Sequence, residues 1–180
     1  MSTPLLVVDV QRCFLNEFTR HIPERIARLI MEGDYEPVLF TRFINAPDSP
    51  YRRYLGWHDC AEAPETDLAP DLERFAAKKR VFSKQGLTGL SEPLIAYLRQ
   101  EKIAEVVLVG IDTDMCVLKV AMDLFDIGIR PVVMADCCAS TAGLQAHLAG
   151  LAVLARNIGA QQLREAGLSE GLIAAPVEEK

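Results

Sequence analysis

Five apolar runs rich in β-branched residues punctuate the chain, at Leu5–Val10, Pro37–Phe43, Arg80–Ser83, Val106–Ile111 and Arg130–Ala135. Their apolar residues are continuous rather than alternating, as in strands covered on both faces; a sheet with one wet face alternates. Between the runs lie segments of helical period whose apolar stripes cover one side only. The stripes are Ile22, Ile26, Leu29 and Ile30; Leu68, Leu72 and Phe75; Leu94 and Leu98; Val117, Val120, Ala121 and Leu124; and Leu144, Leu148 and Leu151. Right-handed crossovers between parallel strands place such helices on both faces of one sheet. The pattern predicts an α/β fold, a three-layer α/β/α sandwich with a central, mainly parallel sheet, built by residues 1–180 as a single domain. With 180 residues, half of them hydrophobic, the chain can bury one sizeable core.

Punctuation agrees with this reading. Pro23 stands early in the first helix, Ser91 and Pro93 open another, and Gly128 closes the one that follows Cys116. Ser140 or Thr141 is available to cap the last long helix, a short edge strand is expected near Gly159–Leu163, and the tail Ala174–Lys180 is expected to fray. The segment from Asn45 to Pro70 resists the scheme. It is proline-rich, lacks a clear period and carries Tyr51, Tyr54 and the single tryptophan, Trp57, so it reads either as a lid or as an ordinary surface excursion.

A net charge of −6 with scattered basic residues gives no stripe for a phosphate backbone, so nucleic acid is not an expected partner. The run Pro4–Val8 is too short to span a membrane, lacks a basic leader and ends at an aspartate, so the expectation is a soluble, cytoplasmic protein with no membrane partner. The five cysteines form no CxxC pair and no Cys/His cluster with metal spacing. Their odd number cannot pair completely, and they are read as thiols.

In open parallel sheets ligands bind beyond the carboxyl ends of the strands. Asp9 falls at the end of the first predicted strand, Lys84 just past the third and Cys116 shortly after the fourth, so an acid, a base and a thiol share one edge. Asp9 needs a cationic or hydrogen-bonding partner to be tolerated after four apolar residues. Asp136 ends the fifth run similarly and reads as a structural carboxylate binding loop amides. With Thr113 or Asp114 as N-cap, Cys116 lies in the first turn of a helix over Cys116–Ile127, where unpaired amides and the helix dipole favour a thiolate and offer an oxyanion site. Cys13, Cys60, Cys137 and Cys138 lack that setting and read as packed side chains.

The stretches LLVVDVQRCF, VFSKQGLTGL, VVLVGIDTDMCV and AMDLFDIGIRPVVMADCCAS resemble, in order and spacing, the isochorismatase-like cysteine hydrolases. That group includes nicotinamidases, N-carbamoylsarcosine amidases and ureidoacrylate or biuret-type amidohydrolases, and the resemblance covers nearly the whole chain. It implies an Asp9–Lys84–Cys116 triad, a non-proline cis peptide between Ile111 and Asp112, and an oxyanion hole made by the amides of Asp112 and Cys116. It also implies hydrolysis of a small amide, carbamoyl or ureido compound through a Cys116 thioester, and a dimer or tetramer of identical chains. Two alternatives stay open: thiol-free vinyl ether cleavage of the isochorismatase type, and a non-catalytic metabolite-binding or redox-responsive thiol protein.

The departures concern the substrate. Nicotinamidases carry a metal-binding Asp-x-His with a further histidine, whereas TRFINAPDSPYRRYLGWHDC offers His58 and Asp59 without that spacing, so no metal and no cofactor is expected. His21 and His147 fall in predicted helices and read as surface or packed residues. Phe14, Tyr54 and Trp57 are candidate pocket walls, and Asn45, Arg42, Arg52 or Arg53 are candidates to hold a substrate carboxylate or ureido group.

Overall fold

In the computed structural model, which describes residues 2–77 and 80–167, six parallel strands form one sheet in the order β3-β2-β1-β4-β5-β6. The strands are β1 (Thr3–Val8), β2 (Tyr35–Phe43), β3 (Val81–Lys84), β4 (Glu105–Ile111), β5 (Arg130–Ala139) and β6 (Leu163–Arg164). The helices are α1 (Ile22–Glu32), α2 (Pro50–Leu55), α3 (Pro70–Glu73), α4 (Glu92–Gln100), α5 (Cys116–Asp126) and α6 (Leu144–Leu154). Leu5 and Val7 pack under α1 and α3 with Ile22, Ile26 and Leu72. Leu6 and Val8, pointing the other way, meet Leu94 and Leu98 of α4 and Val117 and Val120 of α5. Burial on both faces is why the central stretches at residues 5–8 and 106–109 are apolar without a break.

The strand order reverses between β1 and β4, so the chain leaves these neighbours in opposite directions and opens a crevice at their carboxyl ends. Close approach there depends on Gly110, whose φ is +134°; a Cβ would run into the backbone of Val8. β1 stops at Val8, two residues before its expected end, because Asp9 takes a φ of +50° and turns out of the ladder. β5 runs on to Ala139, where Cys138 and Ala139 pair with Gly110 and Ile111 after a shift of register.

Several local expectations are corrected. In α6 the predicted stripe of Leu144, Leu148 and Leu151 faces the body only at Leu151, which packs against the core; Leu144 is 65% and Leu148 48% exposed, and Gly150 and Leu154 are the buried positions. The helix is apolar nearly all round, and its orientation is set by Gly150, where a Cβ would collide with the backbone of Thr113 and Asp114. Neither Ser140 nor Thr141 caps it: Gly143 is the N-cap, and Ser140 Oγ accepts from the Ala142 amide instead. The Leu68–Phe75 stripe yields only the four-residue α3. The edge strand lies at Leu163–Arg164, and Ala174–Lys180 falls outside the described residues. Asn45–Pro70 contains α2, whose N-cap Ser49 accepts from Arg52 N at 3.2 Å. Among the described residues no helix is long and apolar enough to cross a membrane.

Candidate active site

The turn after β1 and the end of β3 bring Asp9 and Lys84 together, Lys84 Nζ lying 2.6 Å from Asp9 Oδ2 with both side chains buried. The other carboxylate oxygen, Oδ1, accepts from the Thr41 hydroxyl at 2.6 Å, and that hydroxyl accepts from the Asp9 amide at 3.1 Å. Thr41, on β2, thus fixes the rotation of the carboxylate. Lys84 also donates to the carbonyls of Gly86 at 3.0 Å and Leu87 at 3.2 Å. Burial works against its charge, but Asp9, followed by Cys116, outweighs that cost and holds the ammonium above the ordinary lysine pKa.

Cys116 opens α5 and is electrostatically coupled to both groups. The expectation of a helix-stabilised thiolate is not met. Burial first, then the Asp9 charge, push the thiol above its ordinary pKa, and Lys84 opposes this only in part. The cap expectation is also corrected. Met115 is the N-cap and no side chain caps the helix; Thr113 Oγ1 bonds His147 Nδ1 at 2.8 Å, and Asp114 Oδ1 is buried without a partner. The Ile111–Asp112 peptide is cis. In the turn, the amides of Met115 and Val117 donate to the Asp112 carbonyl and that of Thr113 to the Ala139 carbonyl. Among the described residues the amides of Asp112 and Cys116 have no backbone partner outside regular helix and strand bonds.

Above the sulfur lies a cavity of about 300 Å³. Phe14 and Trp57 line it as expected, joined by Phe43 and Tyr51. The four rings pack on one another, with centroids 5.2 Å apart for Phe43 and Tyr51 and 6.1 Å for Phe14 and Trp57. Tyr54 is not a wall, being 76% exposed under the Arg53 guanidinium; one helical turn of α2 separates it from Tyr51, which faces inward. Asn45 does not reach substrate space. It is a buried strut whose amide donates to the carbonyls of Trp57 at 3.0 Å and Asp59 at 2.9 Å, while its oxygen accepts from Ser49. Arg42 lines a separate cavity with Asp67 and Glu73, and Arg52 reaches back to the Asn45 carbonyl. Asp112, Thr141, Leu87 and Met115 also line the pocket; Leu87 and Met115 carry no chemical label in the sequence, and only their proximity to Cys116 identifies them.

The reading of all five cysteines as thiols is overturned for two. Cys13 and Cys60 form a disulfide, because the loop after β2 folds back on the short turn after β1; Cys116, Cys137 and Cys138 are free and buried. Gln11 holds the same junction, donating to the carbonyls of Phe43 at 2.9 Å and Thr66 at 3.0 Å while accepting from Phe43 N. Asp136 serves structure, as expected, its Oδ1 accepting from the Ala166 amide. Among the described residues no three His, Cys, Asp or Glu side chains are grouped to hold a metal ion, and with His58 and Asp59 exposed the residues present do not fit a nicotinamidase-type metal.

Comparison with known proteins agrees with this architecture. The chain is 31% identical over 168 residues to a nicotinamidase/pyrazinamidase of Mycobacterium tuberculosis, covering 79% of this chain and 87% of that protein. The crystal structure of a nicotinamidase from Bacillus subtilis superposes with a TM-score of 0.76 at 26% identity, over 92% of this chain and all of that one. An N-carbamoylsarcosine amidase from Thermoplasma acidophilum shares the fold, with a TM-score of 0.75 at 22% identity over 95% of this chain and 100% of that one. The model of the isochorismatase domain matches residues 3–165, and the chain belongs to that family.

Proposed function

We propose that the protein is a hydrolase that cleaves the C–N bond of a small amide, carbamoyl or ureido compound through a thioester on Cys116. The observation that carries this reading is the buried Asp9–Lys84 pair coupled electrostatically to Cys116, whose side chain lines a cavity walled by aromatic rings. In family relatives, named as nicotinamidase and N-carbamoylsarcosine amidase, the same domain is associated with amide substrates.

Because burial and the Asp9 charge hold the thiol above its ordinary pKa, deprotonation accompanies attack. Asp9 takes the proton as sulfur bonds to the carbonyl carbon, and Lys84 stays charged beside both groups. Negative charge then develops on the carbonyl oxygen, opposite the amides of Asp112 and Cys116. Collapse breaks the C–N bond, and Asp9 returns its proton to the departing nitrogen. Water then adds to the thioester as Asp9 accepts its proton; the C–S bond breaks, and the proton goes back to sulfur. The buried thiol at the centre of the site favours this over thiol-free ether cleavage.

Ammonia release over a panel of nicotinamide, carbamoyl amino acids, biuret and ureidoacrylate analogues tests the reading. At least one compound should be turned over, and Cys116→Ala and Asp9→Asn should abolish release while circular dichroism shows both variants folded. Ammonia release persisting in Cys116→Ala would rule out the thioester.

A further inference from the structure

The pocket has an electrostatic bias. The Asp9 and Lys84 charges pair at 2.6 Å and largely cancel, and neither residue is among those lining the cavity. Among the described residues that line the cavity there is one carboxylate, Asp112, and no lysine or arginine. The cations that an anionic substrate would need are committed elsewhere. Lys84 is spent on Asp9 and the Gly86 and Leu87 carbonyls, Arg52 on the Asn45 carbonyl, and Arg42 lines another cavity. Asp112 Oδ1 accepts from the Thr141 amide at 2.5 Å and Oδ2 from the Thr141 hydroxyl at 3.0 Å, which leaves each oxygen a further acceptor direction. Four aromatic rings form the walls, and such rings attract cations and disfavour anions.

Resting on the amide-hydrolase reading, we propose that Asp112 acts as a charge filter, so that the pocket selects acyl groups that are cationic or rich in N–H donors and rejects those bearing a carboxylate. Burial, then Asp114 and Asp9, raise the Asp112 pKa to about 6 against the two Thr141 bonds, so near neutral pH the carboxylate is charged but poorly solvated. A cation entering beside it recovers part of that lost solvation. It also offsets the field of Asp112 where the oxyanion develops, which an anionic acyl group would aggravate.

Titration calorimetry of the whole chain with benzamidine, benzamide and benzoate, single-ring probes that fit the cavity, tests the filter. Benzamidine should bind at least about tenfold more tightly than benzoate and protect Cys116 from iodoacetamide, and Asp112→Asn should reduce that ratio by about tenfold. Benzoate binding as tightly as benzamidine, no binding of benzamidine at millimolar concentration, or an unchanged ratio in Asp112→Asn would overturn the proposal. If Asp112→Asn does not fold, the wild-type ranking still decides. Binding needs no turnover: a wrong ranking removes the filter and leaves hydrolysis standing, whereas a correct ranking without turnover of any amide removes the hydrolase reading instead.

Discussion

Two carboxylates lie buried within one site, and their partners differ. Asp9 has an ammonium on one oxygen and a hydroxyl on the other; among the described residues the Asp112 carboxylate has Thr141 alone. Thr41→Val keeps the shape of the side chain but removes both bonds to Asp9. It should cost about 2 kcal/mol in urea unfolding and slow amide hydrolysis about tenfold or more, and Thr41→Ser should restore most of both. For Asp112 the folded chain binds the proton more readily than the unfolded one, since its pKa is raised from 3.8 to about 6. Its contribution to stability therefore falls as pH rises through that window and is level above it, a loss of about 2–3 kcal/mol. Relative to wild type, Asp112→Asn should gain about 2 kcal/mol between about pH 4.5 and about pH 7.5 in urea unfolding. A constant difference would mean that Asp112 does not titrate in this range. Asp9 was legible in sequence because a carboxylate directly after an apolar strand must find a partner, whereas Lys84 by itself reads as a solvated lysine and was singled out by the family resemblance. Thr41 was not, because a threonine within a strand is ordinary until it faces a carboxylate from the neighbouring strand.

At the scale of elements, the segment after β2 is a pocket wall held from both ends. Asn45 and Ser49 brace its entry, α2 presents Tyr51 and Leu55, and Cys60 returns it to Cys13 beside Phe14. The cross-link joins residues 47 apart, so cutting it restores much chain entropy to the unfolded state. Cys13→Ser with Cys60→Ser should lower unfolding stability by about 2–4 kcal/mol. Thiol titration of the denatured chain should count three free sulfurs without reductant and five with it; five in both conditions would refute the disulfide. The pairing was invisible in the sequence because an odd cysteine count and long spacing specify no partner. The α6 stripe was misread for a related reason. A helix apolar nearly all round has no preferred face, and Gly150 against the turn of Thr113 and Asp114 makes the choice.

For the molecule as a whole, that choice leaves Leu144 and Leu148 facing outward beside Phe18, whose ring lies against the position of Gly143 and is 46% exposed. A chain of net charge −6 that keeps this apolar strip is expected to cover it with a second copy. Sedimentation velocity should show a dimer or tetramer, and Leu144→Glu with Leu148→Glu should shift it to monomer; a wild-type monomer would mean that the strip is not an interface. The layers of the fold, the strand ends and the placement of Asp9, Lys84 and Cys116 near one edge followed from the sequence alone, because hydrophobic period and strand termini are written locally along the chain. Only the tertiary structure decided the upward shift of the Cys116 pKa, the bond between Cys13 and Cys60, the inward turn of Tyr51 rather than Tyr54, and the Asp112 carboxylate at the pocket wall. Each of these depends on burial and on distances between residues far apart in sequence, and no local pattern encodes either quantity.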